Sequence, residues 1–331
     1  MIDCLSNPNW LNPQIDVLLF LQNIRINCSD MIDKLFLSIT VFGEYWLPTV
    51  VCAIAYWCVD FRAGIYLFSL EGINVIISHF FKMIACVYRP WILNNNLHPS
   101  ELAIPFAKGY SFPSGHSCMS SSVFGGLAYL VRKKKLLMFL LIGLILLIGF
   151  SRLWLGVHTP QDVIGGFTIG IILIFAVNNV INWAEKDKNR YLYLLAIIDI
   201  LTALSLVYIA FYNTYRMDYI DGKLLVEPFK QIYITFVVNG YTLGLINGVF
   251  LCRRFFPFNP KEVSVKRRII RGLIGAIGII ALMKTLLVYI IMHSMNLKTA
   301  FFVTFALGII ITLIYPIIFS NYRKILHKRF M

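Results

Sequence analysis

The chain has 331 residues, 59% of them hydrophobic and only 14% charged, with a mean hydropathy of +0.74 and a formal net charge of +14. Soluble globular domains carry roughly 25% charged residues, so the composition excludes an ordinary soluble fold and predicts an all-α, polytopic membrane helix bundle. The basic excess does not point to nucleic acid: nineteen of the thirty Lys and Arg fall at Arg62, Arg132–Lys135, Lys186–Arg190, Arg253–Arg271 and Arg323–Arg329, each beside the end of an apolar run, as expected for cytoplasmic loops facing anionic headgroups.

The N-terminal stretch lacks the basic flank and cleavage site of a signal peptide. Its Trp10, Leu18, Leu19, Phe20 and Leu21 are flanked by polar residues and predict a short interfacial helix before Leu35. Nine apolar segments long enough to cross a bilayer follow, at about 35–59, 63–87, 115–131, 136–151, 161–183, 191–213, 230–252, 268–293 and 299–321. The third is rich in Ser, Gly and Ala, which suits tight helix packing. The basic clusters follow spans one, three, five, seven and nine. That alternation places the N-terminus and the loops after the even spans outside a cell membrane, or in the lumen of an endomembrane, with the C-terminus cytoplasmic. The expected organisation is an external segment 1–34, a catalytic helix core 35–213 and a three-span extension 214–331 with a basic tail. The seven cysteines form no CxxC pair and no Cys/His spacing for a metal, so neither a disulfide framework, a metal nor a cofactor is expected.

Three polar clusters then share the external face. In KMIACVYRP, Lys82 and Arg89 stand seven residues apart on one helix face. FPSGH, Phe112 to His116, opens the third span. In SRLWLGVHTPQD, Arg152 ends the fourth span while His158 and Asp162 open the fifth. Each cluster has a plain structural alternative. Lys82 and Arg89 could snorkel to the interface. Pro113 and Ser114 could simply start a helix, with Gly115 permissive, and Thr159, Pro160 and Asp162 could form a capping box. Together they read differently. Three converging cations make an anion site in which Arg offers forked donors to phosphate oxygens. The helix N-termini at Ser114 and Thr159 add free N–H groups. Two histidines could divide nucleophile and acid duties, with Asp162 fixing the tautomer of His158. That is a phosphoryl-transfer site with no metal requirement.

The three motifs resemble, in residue type, spacing and order, the signature of the type 2 phosphatidic acid phosphatase superfamily. That group includes lipid phosphate phosphatases, undecaprenyl-pyrophosphate phosphatases, glucose-6-phosphatase and soluble haloperoxidases. The resemblance covers Lys82 to Asp162 closely and the surrounding spans loosely; the two spans before the first motif are most similar to the glucose-6-phosphatase and sphingosine-phosphate phosphatase branch. It implies that His158 attacks phosphorus and becomes a phosphohistidine, oriented by Asp162. It further implies that His116 protonates the leaving oxygen and then activates water, and that Lys82, Arg89, Ser114, the Gly115 amide and Arg152 hold the phosphate.

The expected substrate is a lipid phosphate or prenyl pyrophosphate, because Phe81, Tyr88, Trp91, Phe106, Tyr110, Phe112 and Trp154 form an aromatic rim near the motifs. A sugar phosphate is the alternative, favoured by the polar run Asn94, Asn95, Asn96, His98, Ser100 and Glu101. A transporter is the alternative outside the class, favoured by Lys284, Asp199 and Glu71 inside spans; these could equally be interhelical glue or the floor of the substrate cavity. No inverted repeat supports transport. Membrane lipids are the expected surroundings; the sequence names no protein partner. His79, His98, His293 and His327 match no motif.

Overall fold

The computed structural model describes residues 11–319 apart from 108, 188, 212–214, 216, 221–222, 288 and 291–294. Trp10, Cys4, His293, His327 and the basic cluster Arg323–Arg329 therefore lie outside the described residues. The fold is all-α and multi-pass, with one two-residue antiparallel rung, Tyr219–Ile220 against Lys223–Leu224, as its extended structure among the described residues. Six described helices are long and apolar enough to cross a membrane, or up to seven if the bent pair 30–43 and 46–59 counts as one span. The predicted number of nine is not reproduced. The third predicted span is a short run, Gly115–Met119 and Gly125–Leu130, joined through a π turn. The eighth carries Lys266, Arg267, Arg268 and Arg271 in its first two turns.

The chain divides into two compact units. The first comprises residues 1–44, 77–172 and 208–232. It opens with α1 (Asn12–Ile26) and α2 (Asp30–Thr40). Helix α2 is started by Ser29, whose hydroxyl accepts from Met31 N, with Asp30 and Asp33 at its positive end. Where an interfacial helix was predicted, α1 lays one face on the protein. Leu11, Ile15 and Leu18 bury against Leu97, Trp91 and Leu153, while Val17, Phe20 and Ile24 stay exposed on the other side. The pair also grips neighbouring loops through polar contacts. Gln22 Nε2 donates to Asn96 O at 3.0 Å, Arg25 to the carbonyls of His98 and Leu155, and Trp154 Nε1 to Asp33 Oδ1 at 2.9 Å. Also in this unit are the end of α3 (Phe61–Ala85), the broken helix opening at Gly115, α4 (Lys135–Trp154) and the start of α5 (Pro160–Ala184).

The second unit comprises residues 45–76, 173–207 and 233–331. Residues 233–255 of the helix Pro228–Phe255 fall in it and carry Gly240, Gly244 and Gly248 on one stripe; a Cβ at Gly244 would stand 2.1 Å from Phe305 O. This is the small-residue seam by which membrane helices approach closely. The intramembrane ionisable groups are partnered here. Thr49 donates its hydroxyl to Glu71, Asn247 Nδ2 donates to Asp199 Oδ1 at 2.9 Å, and Lys284 Nζ sits 4.8 Å over the Trp46 ring.

Candidate active site

The site is built within the first unit from three connections that backbone hydrogen bonds tie together. Ser111 N donates to Val87 O at 2.7 Å, Ser114 N to Asp162 O at 3.0 Å and Ser100 N to Leu155 O at 3.0 Å. These bonds satisfy loop amides that would otherwise be buried without partners, and they fix the three motifs against one another.

Helix α4 ends at Gly156, whose φ is 69°. Gly156 N donates to Leu153 O at 3.0 Å and Val157 N to Arg152 O at 3.1 Å. That pair of bonds is a Schellman stop, which needs the left-handed residue glycine supplies. The turn brings His158 back toward Arg152, the last basic residue of the helix. Helix α5 then starts on a reciprocal cap: Thr159 N donates to Asp162 Oδ2 at 2.9 Å, and Asp162 N to Thr159 Oγ1 at 3.3 Å. The same carboxylate oxygen lies 3.2 Å from His158 Nδ1 and accepts from Ser111 Oγ at 2.5 Å. The cap and the histidine contact are therefore made by one atom. With Asp162 accepting at Nδ1, the tautomer is assigned and Nε2 keeps its lone pair.

Arg89 faces that nitrogen, and the charges of Arg152 and Lys82 also act on the imidazole. Arg89 Nη1 is 2.9 Å from His158 Nε2 and donates to Val157 O at 2.8 Å, while its Nε donates to Gly109 O at 3.0 Å. Lys82 Nζ donates to Tyr110 O at 2.9 Å and Pro113 O at 3.2 Å. Arg152 is buried and donates from Nη1 to Thr40 Oγ1 at 2.7 Å, but its Nε has no hydrogen-bond partner. Three cations share two carboxylates: Asp162 beside Arg89 and Lys82, and Glu44 beside Arg152. Buried charge is costly unless paired, so the balance favours an anion. His158 is buried as well, and burial, with the charges of Arg89, Arg152 and Lys82, pushes its pKa well below the usual histidine range.

Ser114 caps the helix that opens at Gly115, accepting from Ser117 N at 3.4 Å and from Ser117 Oγ at 2.9 Å. An added Cβ at Gly115 would meet nothing within 4 Å. His116, one residue on, is half-buried and lines a cavity of about 230 Å³ together with Arg152, Leu37, Ser38, Thr40, Val41, Glu44, Ala103 and Phe106. The turn Val41–Gly43 presses on it so closely that a Cβ at Gly43 would stand 2.9 Å from His116 Cβ.

Residues 62–186 match the PAP2 superfamily, and residues 236–327 match the PAP2 superfamily phosphatase transmembrane extension. The chain carries a PAP2 superfamily domain. Over 116 residues it is 34% identical to phosphatidylglycerophosphatase B of Bacillus subtilis (strain 168), a match covering 33% of this chain and 55%, just over half, of that protein. It is 29% identical over 154 residues to an undecaprenyl-diphosphatase of Sulfolobus acidocaldarius, covering 46% of this chain and 72% of the relative. A crystal structure of a transmembrane PAP2 type phosphatidylglycerolphosphate phosphatase from Bacillus subtilis aligns over 54% of this chain and 89% of that one, at 24% identity and a TM-score of 0.43.

In this PAP2 chain all eight predicted site residues, from Lys82 to Asp162, fall inside the matched stretch. The structure gathers Lys82, Arg89, Ser114, His158 and Asp162 around one point through direct bonds to shared loops, and puts His116 and Arg152 on the wall of the adjoining cavity. Sequence reasoning missed Ser111, Gly156, Thr40 and Gly43, and left Glu44 open between interhelical glue and the floor of the substrate cavity. Thr40, Gly43 and Glu44 lie ahead of residue 62. The predicted aromatic rim is only partly a rim: Phe81 and Phe106 are exposed, at 44% and 67%, whereas Tyr88, Tyr110 and Trp154 are core residues.

Among the described residues no three His, Cys, Asp or Glu side chains converge as a metal set.

Proposed function

We propose that the protein is an integral-membrane phosphatase that hydrolyses a lipid phosphate through a phosphohistidine on His158, without a metal, at the external membrane face. The observation that carries the reading is the environment of His158. Nδ1 faces Asp162 Oδ2 at 3.2 Å, and Nε2 faces Arg89 at 2.9 Å. A histidine held neutral, with its Nε2 lone pair turned to Arg89 and two further cations close by, is poised to attack an anion that those cations bind. Phosphate entering there takes the Arg89 donor and the free Arg152 Nε. The Nε2–P bond forms as the P–O bond to the leaving group breaks, and His116 gives that oxygen a proton. Water then attacks the phosphohistidine, His116 takes its proton, and inorganic phosphate leaves. Lys82, Arg89, Arg152, Ser114 and the Gly115 amide stabilise the charge on the three equatorial oxygens.

The lipid reading is supported by its relatives, a phosphatidylglycerophosphatase and an undecaprenyl-diphosphatase.

The test is phosphate release from purified full-length protein on lipid and soluble esters side by side, with EDTA and with vanadate. Turnover should survive EDTA, fall with vanadate, and be at least about tenfold higher in kcat/KM on lipid phosphates than on glucose 6-phosphate, roughly 1.4 kcal/mol of transition-state binding. Preference for the sugar phosphate would overturn the lipid reading. A strict metal requirement would overturn the mechanism.

A further inference from the structure

We infer that the cavity beside His116 receives the leaving group, and that Glu44 on its wall selects a phosphate monoester whose leaving group carries a hydroxyl or ammonium donor next to the scissile oxygen, in preference to a diphosphate. The inference rests on the phosphatase reading and narrows it.

A general acid must reach the oxygen it protonates, so the leaving group lies on the His116 side of the bound phosphate. The cavity on that side holds about 230 Å³ and also touches Arg152. Of the three cations of the site only Arg152 lines it; Lys82 and Arg89 are engaged with the carbonyls of Tyr110, Pro113, Gly109 and Val157. The one carboxylate on its wall is Glu44. A diphosphate would bring a second anionic phosphate into this space as its leaving group, where the one wall cation, Arg152, is already shared between Glu44 and the scissile phosphate. A hydroxyl or ammonium on the leaving group finds in Glu44 an acceptor, and in Ser38 a further hydroxyl. Phe106, Leu37 and Val41 leave apolar surface for the rest of the chain.

Glu44 is also held in place. It follows the turn Val41–Gly43 as its C-cap, with Glu44 N donating to Val41 O at 3.1 Å, and Gly43 locks that turn against His116. The carboxylate is therefore part of the wall, not of a wandering loop.

The experiment compares kcat/KM of full-length wild-type protein and Glu44→Gln on phosphatidylglycerophosphate, sphingosine 1-phosphate, phosphatidate and farnesyl diphosphate, with His158→Ala as the blank. Wild type should favour the two donor-bearing monoesters over farnesyl diphosphate by about tenfold or more, with phosphatidate between. Glu44→Gln should narrow that gap at least about threefold, chiefly by raising the diphosphate rate. As a measurement independent of any variant, inorganic pyrophosphate should inhibit wild type more weakly than inorganic phosphate. Diphosphate preference in wild type, a ratio unchanged in Glu44→Gln, or tighter inhibition by pyrophosphate would each overturn the inference while His158-dependent turnover kept the phosphatase reading intact. Turnover that persists in His158→Ala would overturn both.

Discussion

Asp162 Oδ2 receives three donors: the Thr159 amide, the Ser111 hydroxyl and, facing it, His158 Nδ1. One oxygen thus caps a helix and orients an imidazole, so its removal is felt in both stability and rate. Asp162→Asn separates the two, because Asn also caps well but cannot hold the imidazolium charge. His158→Ala should lower kcat by about 10²–10⁴-fold or more, and His116→Ala by a similar factor on substrates with poor leaving groups. Acid-labile phosphoprotein should accumulate in His116→Ala and be absent from His158→Ala; phosphoprotein in the latter would move the nucleophile elsewhere. The depressed pKa of His158, caused first by burial and then by Arg89, Arg152 and Lys82, has a definite sign. The unfolded chain binds a proton near the ordinary histidine value of about 6.5 that the folded chain refuses. Stability should therefore rise with pH through that region and be lost as pH falls below it. The thermal midpoint of wild type should drop between pH 7 and pH 5, and that of His158→Phe should drop less. Because the folded imidazole stays neutral, the free-enzyme acid limb of kcat/KM assigned to His158 should lie below pH 6.5.

Among the elements, the stop of α4 matters most to the site. Gly156→Ala forces a β-carbon into φ 69° and to within 3.1 Å of Pro99 Cα, which costs about 1–2 kcal/mol by backbone conformation alone. Because His158 hangs from this turn, the variant should lose more activity than its drop in thermal midpoint accounts for; equal losses would make Gly156 merely structural. Thr40→Val, similar in shape, removes the hydroxyl that holds Arg152 at 2.7 Å and should raise KM about fivefold with a smaller effect on kcat, in line with a hydrogen bond to a charged group. Legibility in the sequence divides along the same line. Lys82, Arg89, His116, Arg152, His158 and Asp162 were readable because their chemistry demands particular residue types at fixed spacing. Thr40 was not, since a hydroxyl is common everywhere and its contact with Arg152 spans 112 residues. Gly156 carried a signal that went unused: a glycine directly after a long apolar helix is a stop. Hydropathy counted helices well where they are long and uninterrupted. It gave more spans than the six or seven found among the described residues, where Gly115–Leu130 is short and serine-rich and where four basic residues occupy the first turns after Ser264.

At the scale of the whole molecule, charge predicts the orientation. Basic residues cluster at alternate connections, so a cysteine placed at exposed Glu227 should label from outside intact cells and one at exposed Lys261 only after permeabilisation. The reverse pattern would put the three motifs on the cytoplasmic side. The helix pair α1–α2 joins this scale to the others. It grips the loops before and after the motifs through Gln22, Arg25 and Asp33, supplies Thr40 to Arg152, and runs into the turn that carries Glu44. All of it lies ahead of residue 62, where the family match begins. The family match that holds the motifs thus covers the reaction, while the surface that meets what departs from phosphorus lies on a separate stretch of chain. Two descendants with identical motifs are free to diverge in diet by altering only the helices that precede them.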